Sequence, residues 1–114
     1  MSTPLYRAQA EFLRALGHPV RIRVLELLQN GPLPVRDLLI STEVEASNLS
    51  QQLAVLRRSG IVSATREGST VVYALVSADV ADLLRTTRRI LTDVIAVRGE
   101  LLAELHGAKT EQLR

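Results

Sequence analysis

The segment from Glu45 to Leu75, EASNLSQQLAVLRRSGIVSATREGSTVVYAL, switches its hydrophobic period once, from helical to strand-like, and no other part of the chain constrains the fold as tightly. Leu49, Leu53 and Leu56 recur at i, i+4 and i+7, which makes one buried stripe on a helix. Ser47, Gln51, Val55 and Arg58 fall on the opposite side, with Asn48 and Ser50 flanking them. Short uncharged donor–acceptor side chains are what a helix needs to reach base edges, and Asn and Gln can pair two-pronged with adenine. Ser59-Gly60 stops the helix and a β-prone run comes next. Glu67-Gly68-Ser69 then turns a ribbon between Ile61 to Arg66 and Thr70 to Leu75. The pattern predicts a recognition helix with a β wing behind it.

At 114 residues the chain is expected to form one domain, 1–114, with a modest core. Apolar residues make up 46%, too many for disorder, while aromatics are only 3%, so Leu, Val, Ile and Ala must fill the core. That balance suits helix packing better than a β sandwich. The absence of cysteine excludes disulfides, thiolate metal sites and thiol redox sensing. No apolar run approaches the roughly 18 residues of a membrane span. The start, MSTPLYRAQAEFLRAL, is charged where a signal peptide needs an apolar block, so a soluble cytoplasmic protein without a membrane partner is expected. The net charge of +2 says little, but its distribution says more. Arg57, Arg58 and Arg66 bracket the recognition helix and wing, and Arg21, Arg23 and Arg36 lie just before them. Charge alone fits a solvated basic face equally well; beside this helix it points to phosphate contacts.

Along the rest of the chain, Thr3-Pro4 can start a first helix, carrying Leu5, Phe12, Leu13 and Leu16, which Gly17 ends. His18-Pro19 starts a second, with His18 as its cap and Val20, Val24, Leu27 and Leu28 on its apolar side. Asn30-Gly31-Pro32 breaks it. A short helix is expected from about Pro34 to Ile40, then a turn, with a capping box between Thr42 and Glu45 as one way to begin the recognition helix. Beyond the wing, Ser77 can cap a long helix with Asp79 and Asp82 in its first turns. It should run to about His106, roughly 28 residues or ~42 Å, with the tail from Gly107 to Arg114 frayed. Its apolar residues, from Leu83 to Leu105, cover more than one face, and a second subunit is the simplest cover. The fold class is therefore mainly α with a small β hairpin: a winged helix-turn-helix. The helix-turn-helix spans about 34–59, the wing about 61–75, and the dimerisation helices about 4–16 and 78–106.

The runs ALGHPVRIRVLELL, LPVRDLL, SNLSQQLAVLRRSGIV and REGSTVVYAL, in that order, resemble the ArsR/SmtB family of bacterial winged helix-turn-helix regulators over roughly residues 10 to 105. The resemblance implies a homodimer joined through its first and last helices, bound to a palindromic operator in double-stranded DNA. It also implies repression, relieved by an inducer that in the family is often a metal ion. Ser47, Asn48, Ser50, Gln51 and Gln52 match the exposed N-terminal half of the family's recognition helix, and Arg66, Gly68 and Ser69 match its wing. Gln52 leans toward the buried side and so stands behind Gln51. Arg57 and Arg58 complete the expected DNA contacts.

The departures concern sensing. A Cys-Val-Cys-type motif on the family's third helix is replaced here by Pro34, Val35 and Arg36. The last-helix ligand positions are taken by Arg89, Leu91, Leu102 and Leu105, none a usual ligand. Asp93 and His106 do stand thirteen residues apart, the family's ligand spacing, but the partners that spacing needs would be Ile95 and Lys109. Glu100 and Glu104 can supplement His106 in a site for a divalent metal, nickel or zinc, which imidazole and carboxylate suit. The same residues also fit a solvated helix end.

An enzyme is not expected, because no nucleotide-binding loop, nucleophile elbow or zinc-hydrolase motif is present. A winged helix that binds protein is the other class, yet its face would want aromatic anchors and this one has none. Three signals remain open: a metal at an atypical His/carboxylate site, a small apolar molecule, or a separate effector-sensing partner protein.

Overall fold

The computed structural model describes residues 2–113, with side chains through residue 106. Helices α1 (Leu5–Leu16) and α2 (Pro19–Leu27) come first, followed by a 3-10 turn over Leu28–Asn30. Strand β1 (Leu33–Pro34), α3 (Val35–Thr42), α4 (Ala46–Arg58), β2 (Val62–Glu67), β3 (Thr70–Leu75) and α5 (Ala78–Leu113) complete the order. Two compact units result, one through Asp82 and one from Leu83 onward. The second is the body of α5 alone.

His18 caps α2: its Nδ1 accepts from the Val20 backbone N–H at 3.2 Å, and Pro19 occupies the first helical position, where its missing donor costs nothing. In α2 and its 3-10 extension, Val24, Leu25 and Leu28 are buried, whereas Val20 and Leu27 are half-buried. The buried side is thus centred on Val24, Leu25 and Leu28, turned from the expected one toward Leu25. Helix α2 packs on α3 and α4, and α4 packs on β2. Leu38 from α3, Leu49, Leu53 and Leu56 from α4, and Ile61 and Val62 from the wing close the core, with Val80 and Ala81 from the first turn of α5 also buried.

The wing holds one strand more than the expected ribbon. Its order is β1-β3-β2, all antiparallel, with Leu33 opposite Tyr73 and Pro34 opposite Val72. Two residues are too short to show a period, and Pro34 sits where its lack of an N–H is tolerated, on an edge. Helix α3 consequently starts at Val35 and extends to Thr42, past the expected end at Ile40. Thr42 forms no capping box with Glu45: it lies in the last turn of α3, where its hydroxyl donates to the Leu38 carbonyl at 2.7 Å. Helix α5 also continues past the expected His106 end, to Leu113. The side chains of the expected frayed tail, Gly107 to Arg114, lie outside the described residues.

The junction between α4 and the wing is a Schellman motif. Ile61 N–H donates to the Leu56 carbonyl and Gly60 N–H to the Arg57 carbonyl, both at 3.1 Å, while Ile61 and Leu56 are themselves buried. Gly60 takes φ +75 there, and a Cβ built on it would meet nothing within 4 Å. Gly60→Ala should therefore cost only the backbone term, about 1–2 kcal/mol. Urea unfolding at fixed protein concentration measures it, and an unchanged midpoint would remove the left-handed requirement.

Candidate nucleic-acid interface

Helix α4 begins after Glu45, which caps it with backbone in the extended region and no side-chain bond. Its buried stripe faces the core, with Leu49, Leu53 and Leu56 at 1%, 2% and 0% exposure. Ser47, Ser50 and Gln51 are exposed on the outer side, and Asn48 is half-buried at its edge. Ser47 is exposed in the first turn, one residue past the helix start. Arg57 and Arg58 are exposed in the last turn, where cations favour the negative end of the helix dipole.

An open groove of about 550 Å³ runs along this helix, lined by Ser50, Leu53, Ala54, Arg57 and Arg58 together with Val35 of α3 and Tyr73 of β3. One polar and two cationic side chains of α4 therefore share a concave surface with the start of α3 and the central strand of the wing. That is an arrangement able to hold an anionic backbone. On the wing itself, Arg66 is exposed on β2 opposite Val71, and Gly68 and Ser69 form the tip between Glu67 and Thr70. Gly68 has φ +64, while no positive φ occurs at Ser69. Positive φ at the first loop position alone is the type II′ pattern, whose twist matches the flanking strands.

Gln52 does not share the exposed face. It is 9% exposed, and its amide is engaged on both sides: Oε1 accepts from Arg21 Nε at 2.9 Å and Nε2 donates to Asn48 Oδ1 at 3.0 Å. Its position one residue before Leu53 rotates it toward α2, where Arg21 lies. Arg21, which the sequence offers only as one of several basic residues near the interface, is the residue that sequence reasoning undervalues. Its partner lies 31 positions away, beyond the reach of any local period.

The metal candidates are not brought together. Asp93 and His106 lie on one helix, thirteen residues or ~20 Å apart along its axis, too far to share an ion within one chain. Glu100 and Glu104 share a face at i, i+4, but His106, two residues beyond Glu104, points well away from it. Among the described residues, no group of three or more His, Asp or Glu is placed to hold a metal ion. Lys109, at the last position of that spacing, has its side chain outside the described residues. Among the described residues no helix is long and apolar enough to cross a membrane.

Residues 18–64 match the model of a family described as bacterial regulatory protein, arsR family. An HTH-type transcriptional regulator of Mycobacterium tuberculosis is 47% identical over 107 residues, covering 93% of this chain and 94% of its own length. The chain belongs to the ArsR family. It is a DNA-binding transcriptional regulator with the winged helix-turn-helix fold, and not an enzyme. The crystal structure of M. tuberculosis Rv0081 superposes with TM-score 0.77 at 47% identity, over 85% of this chain and 98% of that one. The transcriptional repressor BigR from Xylella fastidiosa superposes with TM-score 0.70 at 35% identity, over 75% and 87%. A homodimeric winged helix-turn-helix DNA-binding domain, Mb0332 from Mycobacterium bovis, a possible ArsR-family regulator solved in solution, gives 0.72 at 27% identity, over 80% and 84%.

Proposed function

We propose that this ArsR-family regulator binds a palindromic operator as a homodimer and represses where that operator overlaps a promoter. In each protomer α4 enters the major groove, with Ser47, Asn48, Ser50 and Gln51 toward base edges. Arg57 and Arg58 line the groove beside α4 and Arg66 stands on the wing, where each can meet a phosphate. Gly68 and Ser69 form the tip that reaches toward the backbone. The observation that carries this reading is the groove itself: Ser50, Arg57 and Arg58 share one concave surface with the start of α3 and the wing. The homodimer rests on the apolar residues that α1 and α5 leave exposed, and on the homodimeric Mb0332 domain. With no donor cluster inside one chain among the described residues, the signal is read as a ligand or a separate partner protein rather than a metal held by a single protomer.

Fluorescence anisotropy on DNA duplexes, repeated across salt concentrations, tests the interface. Affinity should fall linearly on a log–log scale, with a slope of about −0.9 per phosphate neutralised. Arg66→Ala should weaken all sequences alike and flatten that slope by about 1. A loss confined to one sequence would instead make Arg66 a base reader, and salt-insensitive binding would remove the phosphate assignments.

A further inference from the structure

The hydrogen bonds beneath α4 have a direction. Arg21 Nη1 donates to the Ala15 carbonyl near the end of α1, and its Nε donates to Gln52 Oε1, both at 2.9 Å. A guanidinium has donors and no acceptor, so Gln52 must turn its oxygen toward Arg21 and its NH2 away. That NH2 donates to Asn48 Oδ1 at 3.0 Å, one helical turn back on the same face. Asn48 must then turn its own oxygen inward, and its NH2 is left on the outer side. No hydrogen bond within the described residues engages Asn48 Nδ2, and no buried polar side-chain atom there lacks a partner, so this NH2 reaches solvent. Gln52, Arg21 and the Ala15 carbonyl are held by packed helices, and Gln52 is nearly fully buried. The orientation of Asn48 is thereby set before any DNA arrives.

We propose that Arg21 and Gln52 are positioning residues that hold Asn48 as an outward-facing donor, so that Asn48 selects guanine in the operator. Guanine's major-groove edge carries two adjacent acceptors, O6 and N7, and no donor. Adenine offers N7 but sets its N6 donor beside it, and a two-pronged pair would need the Asn48 oxygen that Gln52 occupies. The two-pronged adenine contact expected of Asn and Gln on this helix therefore falls to Gln51, whose side chain is exposed. This inference rests on the reading of α4 as the base-reading helix.

The polarity can be reversed without changing shape. Gln52→Glu replaces the NH2 by an oxygen, keeps an acceptor for Arg21, and can bind Asn48 only through the asparagine NH2. Asn48 then turns its oxygen outward. Selection of operators from a randomised duplex pool, with wild type, Q52E and N48A in parallel, reads the result as base identity. Wild type should enrich guanine at one position of each half-site. Q52E should shift that position toward a base with a donor, adenine or cytosine, and leave the other positions in place. N48A should lose the guanine preference there by roughly 3–10-fold, the worth of one hydrogen bond. A general loosening of the helix would weaken every position together and move none of them to a new base. If Q52E fails to fold by circular dichroism, N48A decides alone, since it leaves the Arg21–Gln52 bond intact. A motif unchanged in N48A, or a folded Q52E that keeps guanine, overturns the donor assignment while leaving α4 as the reader. A wild-type chain that enriches no motif removes the reader itself, and the donor assignment with it.

Discussion

Leu56→Ala is expected to destabilise the fold by about 2–5 kcal/mol, a large effect from a single truncation beneath the proposed DNA-binding face. Leu56 is 0% exposed and serves two structures at once. Its side chain ends the buried stripe of α4, and its carbonyl accepts from the N–H of the equally buried Ile61 in the motif that turns α4 into the wing. Alanine keeps the backbone bond and loses the buried side chain, leaving a cavity in its place. A domain of this size has a total stability of about 5–15 kcal/mol, so the variant should fold with much of its margin gone. Urea unfolding should show a lower midpoint with an unchanged slope, provided protein concentration is held fixed so that self-association does not move the midpoint. Under conditions where it is folded, its DNA affinity should stay within a few-fold of wild type, because the side chains toward DNA are on the other face. A loss below about 1 kcal/mol would mean that α4 and the wing relax around the gap, and that the junction is softer than its hydrogen bonds suggest.

The same helix shows how much of the site the sequence makes legible. Leu49, Leu53 and Leu56 were legible because helical burial is periodic and these are the positions with nothing polar to satisfy. The exposed positions Ser50 and Gln51 come from the same rotation. His18 and Ser77 were legible as caps because capping is local: each side chain bonds a backbone N–H two residues on. Gln52 was half-legible. Its angle on the helix places it near the buried side, but its bond to Arg21 depends on how α2 crosses α4, which no window of sequence contains. Strand β1 was hidden for a different reason. Two residues bearing a proline have no strand signature of their own, and they become a strand only because β3 offers Leu33 and Pro34 a free edge. The metal candidates are not brought together within one chain, on geometry that periodicity alone can give, since His106 leaves the face that Glu100 and Glu104 share.

Placing charge on the exposed face of α5 should cost operator affinity by about 10²–10⁴-fold, although no residue there belongs to the DNA-reading helix or wing. Ile90, Leu91, Val94, Ile95, Val97, Leu101, Leu102 and Leu105 are all exposed in the single chain, at 38–61%. On a helix of 36 residues, this is far more apolar surface than a monomer leaves in water without purpose. Each such side chain contributes about 1.5–3 kcal/mol when covered, and a two-fold interface covers it twice, so a few of them decide association. Val94 and Leu101 lie seven residues apart on one face. The double substitution Val94→Glu, Leu101→Glu would place four carboxylates in a symmetric interface, where none has a cation on the same two positions to meet it. Sedimentation at micromolar protein should show the wild type as a dimer and the variant as a monomer. Linkage then sets the consequence for DNA. With the dimer intact, the second α4 meets its half-site at an effective concentration set by the scaffold, whereas a monomer must bind each half-site unaided. The variant should therefore retain weak, salt-sensitive binding to a single half-site and lose the advantage of two. A variant that stays dimeric would move the interface off α5. A monomer that keeps full operator affinity would mean that one recognition helix and wing suffice, and that the second half-site contributes nothing.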